Sequence, residues 1–213
     1  MSNSNPHPRL RLSNRFKYIL VDIHGVLTDG QERKRFLKQM STDYGMDYEK
    51  HNSLWANHIE ALDIGQETAA EYLAMVNSIF HTQISVDDYY RAMAKQIKTN
   101  QVLLGMLQKL SKDHQVCIVS DNLHELAMCL KPIFGSYFKQ FRQFYSYEFG
   151  RTKAGGLFEF VLQALKAEPS EYLFFDDSIR NVDAAKTLGI KALQFTTNEQ
   201  FFKDLTVDME ALS

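Results

Sequence analysis

Tyr18-Ile19-Leu20-Val21-Asp22-Ile23-His24-Gly25-Val26-Leu27-Thr28 is the stretch on which the fold class turns. Its first four residues are apolar or aromatic and lie between Lys17 and Asp22, and so short a run with polar flanks reads as a buried strand. Outward from it, Val116–Val119, Phe141–Tyr145, Tyr172–Phe175 and Ile190–Phe195 repeat the pattern. The segments between them are helical in period: Leu157, Phe158, Val161, Leu162 and Leu165 fall on one face. Strands alternating with helices predict an α/β fold with a parallel sheet and crossover helices. Leu188-Gly189 closes the helix that starts near Ser178, because glycine accepts the left-handed conformation of a helix cap.

The interval between the first two strands is too long for a simple crossover. It carries helical patterns at Glu32–Met40, Tyr48–Leu62, Thr68–Phe80 and Val86–Ile97, and a returning helix at Gln101–Leu110. We therefore expect a helical insertion over 30–98, a core made of 17–29 and 99–213, and a flexible tail over 1–16. Arg9, Arg11 and Arg15 lie in or beside that tail without the apolar run of a secretory signal, and are read as a frayed, solvated segment.

The 213 residues suffice for one well-buried core with a modest insertion. With 45% hydrophobic and 23% charged residues, 10 Gly and 4 Pro, disordered and low-complexity classes are excluded. A net charge of −2 offers no general attraction to phosphate backbones, so nucleic acid is not expected as a partner. No apolar run approaches a membrane span, and no membrane partner is expected. Cys117 and Cys129 are too few for a disulfide framework and fit a reducing cytoplasm.

Ligands of parallel sheets bind beyond the carboxyl ends of the strands. Those ends are polar here: Asp22-Ile23-His24-Gly25 after the first, Ser120-Asp121-Asn122 after the second, Asp176-Asp177-Ser178 after the fourth, with Lys153 in the loop after the third. Together they offer carboxylates for a hard cation, a hydroxyl and an ammonium for anionic oxygens, and an imidazole for proton transfer.

The order and spacing of these stations resemble the haloacid dehalogenase-like (HAD) superfamily. Tyr18–Leu27 is similar to its first motif, Val116–Ser120 to the second, Gly150-Arg151-Thr152-Lys153 to the third, and Leu173–Ala185 with Leu188-Gly189-Ile190 to the fourth. The resemblance covers about 17–196. It implies a Rossmann-like core with an inserted helical cap, and a Mg²⁺-dependent phosphatase acting on a small phosphorylated metabolite. It further implies Asp22 as the nucleophile that forms an aspartyl-phosphate, with Ser120 and Lys153 on the phosphoryl oxygens. The metal would be held by Asp22, the backbone carbonyl of His24 and Asp177, with Asp176 acting through a coordinated water.

Three positions depart from that pattern: His24 stands where family phosphatases carry an acid/base Asp, Asp121 where Asn is frequent, and Ala154 where Pro is frequent. Imidazole has the pKa to give and take a proton near neutrality. The same substitution also fits a catalytically silent binding or regulatory protein. A carbon–halogen hydrolase would lack the second Asp as well, but it would need no metal and no Asp176-Asp177 pair. His51 and His58 in the insertion read as surface residues, Trp55, Tyr48, Tyr89 and Tyr90 as helix packing, and Gly155-Gly156 as backbone freedom before the next helix.

Overall fold

The computed structural model describes residues 10–206 and 209–211. In chain order, β1 is Leu10–Leu12, β2 Tyr18–Val21, α1 Glu32–Tyr44, α2 Tyr48–Asp63, α3 Ala69–Phe80, α4 Val86–Ala94 and α5 Gln101–Leu110. There follow β3 Gln115–Ser120, α6 His124–Phe134, α7 Ser136–Gln140, β4 Arg142–Tyr145, α8 Ser146–Phe149 and α9 Leu157–Leu165. The chain ends in β5 Tyr172–Asp176, α10 Ile179–Thr187, β6 Lys191–Gln194, α11 Asn198–Leu205 and β7 Met209–Ala211.

Five strands form a parallel sheet in the order β4-β3-β2-β5-β6. Register and period explain its two faces. Ile19 pairs with Val116 and with Leu173, and all three point into one core together with Val21, Ile118 and Phe175. The alternate residues Leu20, Cys117 and Phe174 point into the opposite core against Leu157, Phe158 and Val182 from α9 and α10. β2 lies at the centre; the chain runs outward from it through β3 to β4 and then crosses back to β5 on its other side, and this reversal of strand order opens a crevice at the carboxyl end of β2.

The insertion is helical, as its period predicts, and its helices are punctuated by identifiable caps. Asp47 accepts the Lys50 N–H before α2, and Thr68 with Glu71 forms a reciprocal capping box on α3. Phe36, Trp55, Tyr72, Val76, Tyr89 and Met93 build a separate apolar core that continues into Leu123 and Leu126 of the α/β body. Where the chain leaves and rejoins that body, Thr28 bridges Thr99 in antiparallel fashion and the Asp29 N–H donates to the Lys98 carbonyl.

Two expectations are corrected. The tail does not fray through Arg15, because β1 pairs antiparallel with β7, Leu12 and Phe16 are buried in the core, and the Arg15 guanidinium lies 4.5 Å from the Phe16 ring centroid. The rest of that tail, 1–9, lies outside the described residues. The last helix of the insertion stops at Ala94 rather than Ile97, and the Gln96 carbonyl beyond it accepts the Arg35 side chain.

Candidate active site

Asp22 follows β2 directly, and its N–H donates to the Phe175 carbonyl at 3.0 Å, which fixes the end of the strand. The next residues turn sharply. His24 (φ −73°, ψ 128°) and Gly25 (φ 77°, ψ −7°) are the two central residues of a type II turn, and the second of these needs a positive φ. Gly25 is required for a further reason: a Cβ there would stand 2.1 Å from Asp177 Oδ2.

Lys153 reaches the same place from the short turn before α9 and is buried. Its Nζ lies 2.8 Å from Asp22 Oδ1 and 2.5 Å from Asp176 Oδ2. Asp176 also accepts the Ser178 N–H at 2.8 Å and the Asn181 amide. Oxygens of Asp22, Asp176 and Asp177 lie within 4.8 Å of one another.

Burial raises the pKa of all three carboxyls. Asp22 is raised by burial although Lys153 pulls the other way, Asp176 is pushed up to about 6 by burial and the charge of Asp22, and Asp177 is raised by burial and by Asp176. One ammonium thus faces a cluster whose negative charge it does not neutralise. An all-oxygen donor set with that deficit fits a hard divalent cation such as Mg²⁺.

Ser120 is buried at the end of β3, and its hydroxyl donates to the Asp121 carbonyl at 3.4 Å. Asp121 does not simply add charge, because its Oδ1 accepts the Lys153 N–H at 2.7 Å and so ties the loop after β3 to the Lys153 turn. Ser146 performs a similar function across the cleft, accepting the Asn122 N–H and donating to the Asp63 carbonyl at the end of α2.

His24 lines the same cavity, and its Nδ1 lies 2.6 Å from Oε1 of Glu32, the first residue of α1. Burial on its own would lower the pKa of this imidazole, but the hydrogen bond and charge of Glu32, with Asp22 and Asp63, leave it raised. Nε2 is buried with no hydrogen-bond partner among the described residues. The cavity, about 360 Å³, is bounded by Asp22, Asp121, Lys153 and Asp177 from the sheet side and by Arg33, Trp55, Ile59, Asp63 and Met93 from the insertion.

The structure therefore brings Asp22, His24, Lys153, Asp176 and Asp177 together, with Ser120 at the neighbouring strand end. Sequence reasoning missed Glu32, Asp63 and Asn181. Asn181 carried a signal, since it lies five residues after Asp176, on the first turn of the helix that follows β5. Asp63 carried none; its carboxyl, pushed up to about 8 by burial and by the charge of Asp121, reaches the cavity only because α2 ends there. His51 is corrected from surface to interior, as it is fully buried with Nε2 2.6 Å from the Tyr89 hydroxyl. His58 pairs instead with Glu67 at 2.7 Å.

The family model of haloacid dehalogenase-like hydrolases matches residues 16–189. The chain belongs to that family. Among proteins similar to this HAD hydrolase is the D-ribitol-5-phosphate phosphatase of Bacteroides thetaiotaomicron, 26% identical over 204 residues and covering 90% of this chain and 97% of the relative. A HAD family enzyme from the same organism superposes with a TM-score of 0.74 at 21% identity, covering 88% of this chain and 97% of its own. Its wild-type complex with magnesium and inorganic phosphate gives 0.71 at 20% identity, with coverages of 86% and 96%. At that identity the likeness shows the HAD fold. Among the described residues, no helix is long and apolar enough to cross a membrane.

Proposed function

We propose that this HAD hydrolase is a Mg²⁺-dependent phosphatase of a small phosphomonoester that works through an aspartyl-phosphate on Asp22, with His24 as the acid/base residue. The observation that carries this reading is the buried ammonium of Lys153 held 2.8 Å from Asp22 inside a cluster of three carboxylates at the switch point of the sheet. A relative that is by name a sugar-alcohol phosphate phosphatase supports the substrate class. The buried, unbridged Cys117 and the free Cys129 are compatible with a cytoplasmic protein.

Asp22, Asp177, Asp176 and the His24 carbonyl are the groups that would hold Mg²⁺, which when bound supplies positive charge against the phosphoryl oxygens. Lys153 and Ser120 orient those oxygens from the protein side. The Asp22 carboxylate attacks phosphorus as the bond to the leaving oxygen breaks, and Nε2 of the His24 imidazolium gives its proton to that oxygen. The neutral imidazole then takes a proton from water, whose oxygen attacks the phosphoryl group and frees Asp22 with inorganic phosphate. Trp55, Ile59 and Met93 of the insertion cover the cavity, which restricts water and makes the cap the selector of the leaving group.

A silent binder with the same pocket is the competing reading, and a dehalogenase is disfavoured by the retained Asp176-Asp177 pair. A screen of phosphorylated polyols, sugars and nucleotides with Mg²⁺ separates the readings. Wild type should release phosphate from at least one of them and Asp22→Asn from none. Phosphate release that persists in Asp22→Asn, or is absent from wild type on every compound, would overturn the reading.

A further inference from the structure

Glu32 is a charged residue in an unusual place. It is the first residue of α1, it is only 5% exposed, and it does not face solvent as the first acidic residue of a surface helix ordinarily does. Its Oε1 accepts two hydrogen bonds, one from the Thr28 hydroxyl at 3.0 Å and one in the 2.6 Å contact with His24 Nδ1. Thr28 is itself held, because the Gly25 N–H donates to its hydroxyl at 3.1 Å. Three residues of the turn after β2 are thus tied to the opening of the insertion.

We propose that Glu32 is the positioning residue of the proton shuttle: it holds the Nδ1–H of His24, fixing ring and tautomer so that Nε2 is the nitrogen that exchanges the proton with the leaving group. The inference rests on the reading of His24 as acid and base, and it adds the group that makes an imidazole serviceable there. Neutral imidazole carries one proton, and a carboxylate at Nδ1 keeps it on that side, leaving Nε2 as the acceptor of the second step. In the first step the Nε2 proton passes to the departing alkoxide while Nδ1–H stays with the ring, and in the second Nε2 recovers a proton from water. Glu32 gains and loses none. An Asp in place of His24 would need no such partner, so the histidine and the buried glutamate form one unit.

The test combines kinetics with a readout that needs no turnover. With an alkyl phosphate found in the screen, Glu32→Ala should lower kcat about 10- to 100-fold, the scale of groups that orient a functional histidine, with little change in KM. With p-nitrophenyl phosphate, whose leaving group needs no proton, the loss in kcat/KM, which reads the steps up to the aspartyl-phosphate, should be several-fold smaller. In a His24→Ala background the same substitution should cost nothing further. Nitrogen-15 spectra of the neutral imidazole should place the proton on Nδ1 in wild type and on Nε2 in Glu32→Ala. Should Glu32→Ala not fold, Glu32→Gln keeps the side-chain shape and should reproduce the leaving-group pattern at a smaller loss. Equal losses of kcat/KM on both substrates, an undiminished further loss in the His24→Ala background, or an Nε2-protonated ring in wild type would overturn the positioning role alone. Full alkyl-phosphate activity in His24→Ala would overturn the shuttle and this inference with it.

Discussion

A side chain on Gly25 and the carboxylate of Asp177 cannot occupy the space they would share, since the two would meet at 2.1 Å. The turn after β2 and the loop after β5 therefore interlock through a missing methyl group. Gly25→Ala should push Asp177 away from Asp22 and Asp176 and strain a backbone held at φ 77°. We expect a loss of about 1–2 kcal/mol in stability and a larger relative loss in Mg²⁺ affinity, read by denaturant unfolding and by metal titration of the same variant. Wild-type metal affinity in Gly25→Ala would show that Asp177 is not held by this contact.

Lys153 is the counter-charge of two buried carboxylates, and removing one member of such a group leaves the others uncompensated. Lys153→Met, which keeps the volume, should destabilise the metal-free protein by about 3–5 kcal/mol. Saturating Mg²⁺ should restore part of that, because it returns positive charge to the same cluster. Identical unfolding free energies for wild type and variant would contradict the pairing.

Ligand linkage gives a test of the metal site that is independent of substrate. A dication bound only by the folded chain, at a hundredfold its Kd, should add about 2.7 kcal/mol to the unfolding free energy. Asp177→Ala should show little of this gain at the same concentration, and chelator should remove it from wild type. A thermal midpoint of wild type that ignores both Mg²⁺ and chelator would count against the assignment of Asp22, Asp176 and Asp177.

His51 sets an acid limit on the insertion. Burial lowers its pKa to about 4, against about 6.5 in an unfolded chain. Between these values the unfolded chain takes up a proton that the folded one refuses, so stability is full above about pH 6.5 and falls as pH drops towards 4. The shift corresponds to at most about 3 kcal/mol. Urea unfolding at pH 7.5 and pH 5 should show a larger drop for wild type than for His51→Gln, and equal drops would mean that another group governs acid sensitivity.

What could be read beforehand follows the range of the interaction. The three inner strands β2, β3 and β5 were legible because each is a short, largely apolar run buried on both faces, a property written in consecutive residues. The edge strands β4 and β6 mix exposed polar residues with buried ones and were legible mainly by the apolar residues in and beside them, Phe141, Phe144 and Tyr145, and Ile190, Ala192 and Phe195. The carboxylates were legible because each ends or directly follows a strand, whereas Lys153, separated from β4 by α8, stood out through the resemblance of Gly150–Lys153 to a family motif. The β1–β7 pair was not, since its partners sit at opposite ends of the sequence and leave no local period. His51 could have been placed inside: it shares the buried face of α2 with Trp55, four residues on, and with Leu62. Glu32 could not, because its partner is brought back to it only by the turn at Gly25.

The antiparallel bridge between Thr28 and Thr99 makes the whole excursion of the insertion, seen from the sheet, equivalent to a tight hairpin. Loop-closure entropy grows only slowly with length, and once the two chain segments are clamped side by side the sheet is indifferent to how much polypeptide lies beyond them. The α/β body is in this sense a socket with two adjacent contacts. Transplanting another helical insertion into this junction, with the segment through Glu32 retained for its contact with His24, should leave the five-stranded sheet able to form while exchanging the surface that meets the leaving group, which makes this junction the natural seam for redesigning selectivity.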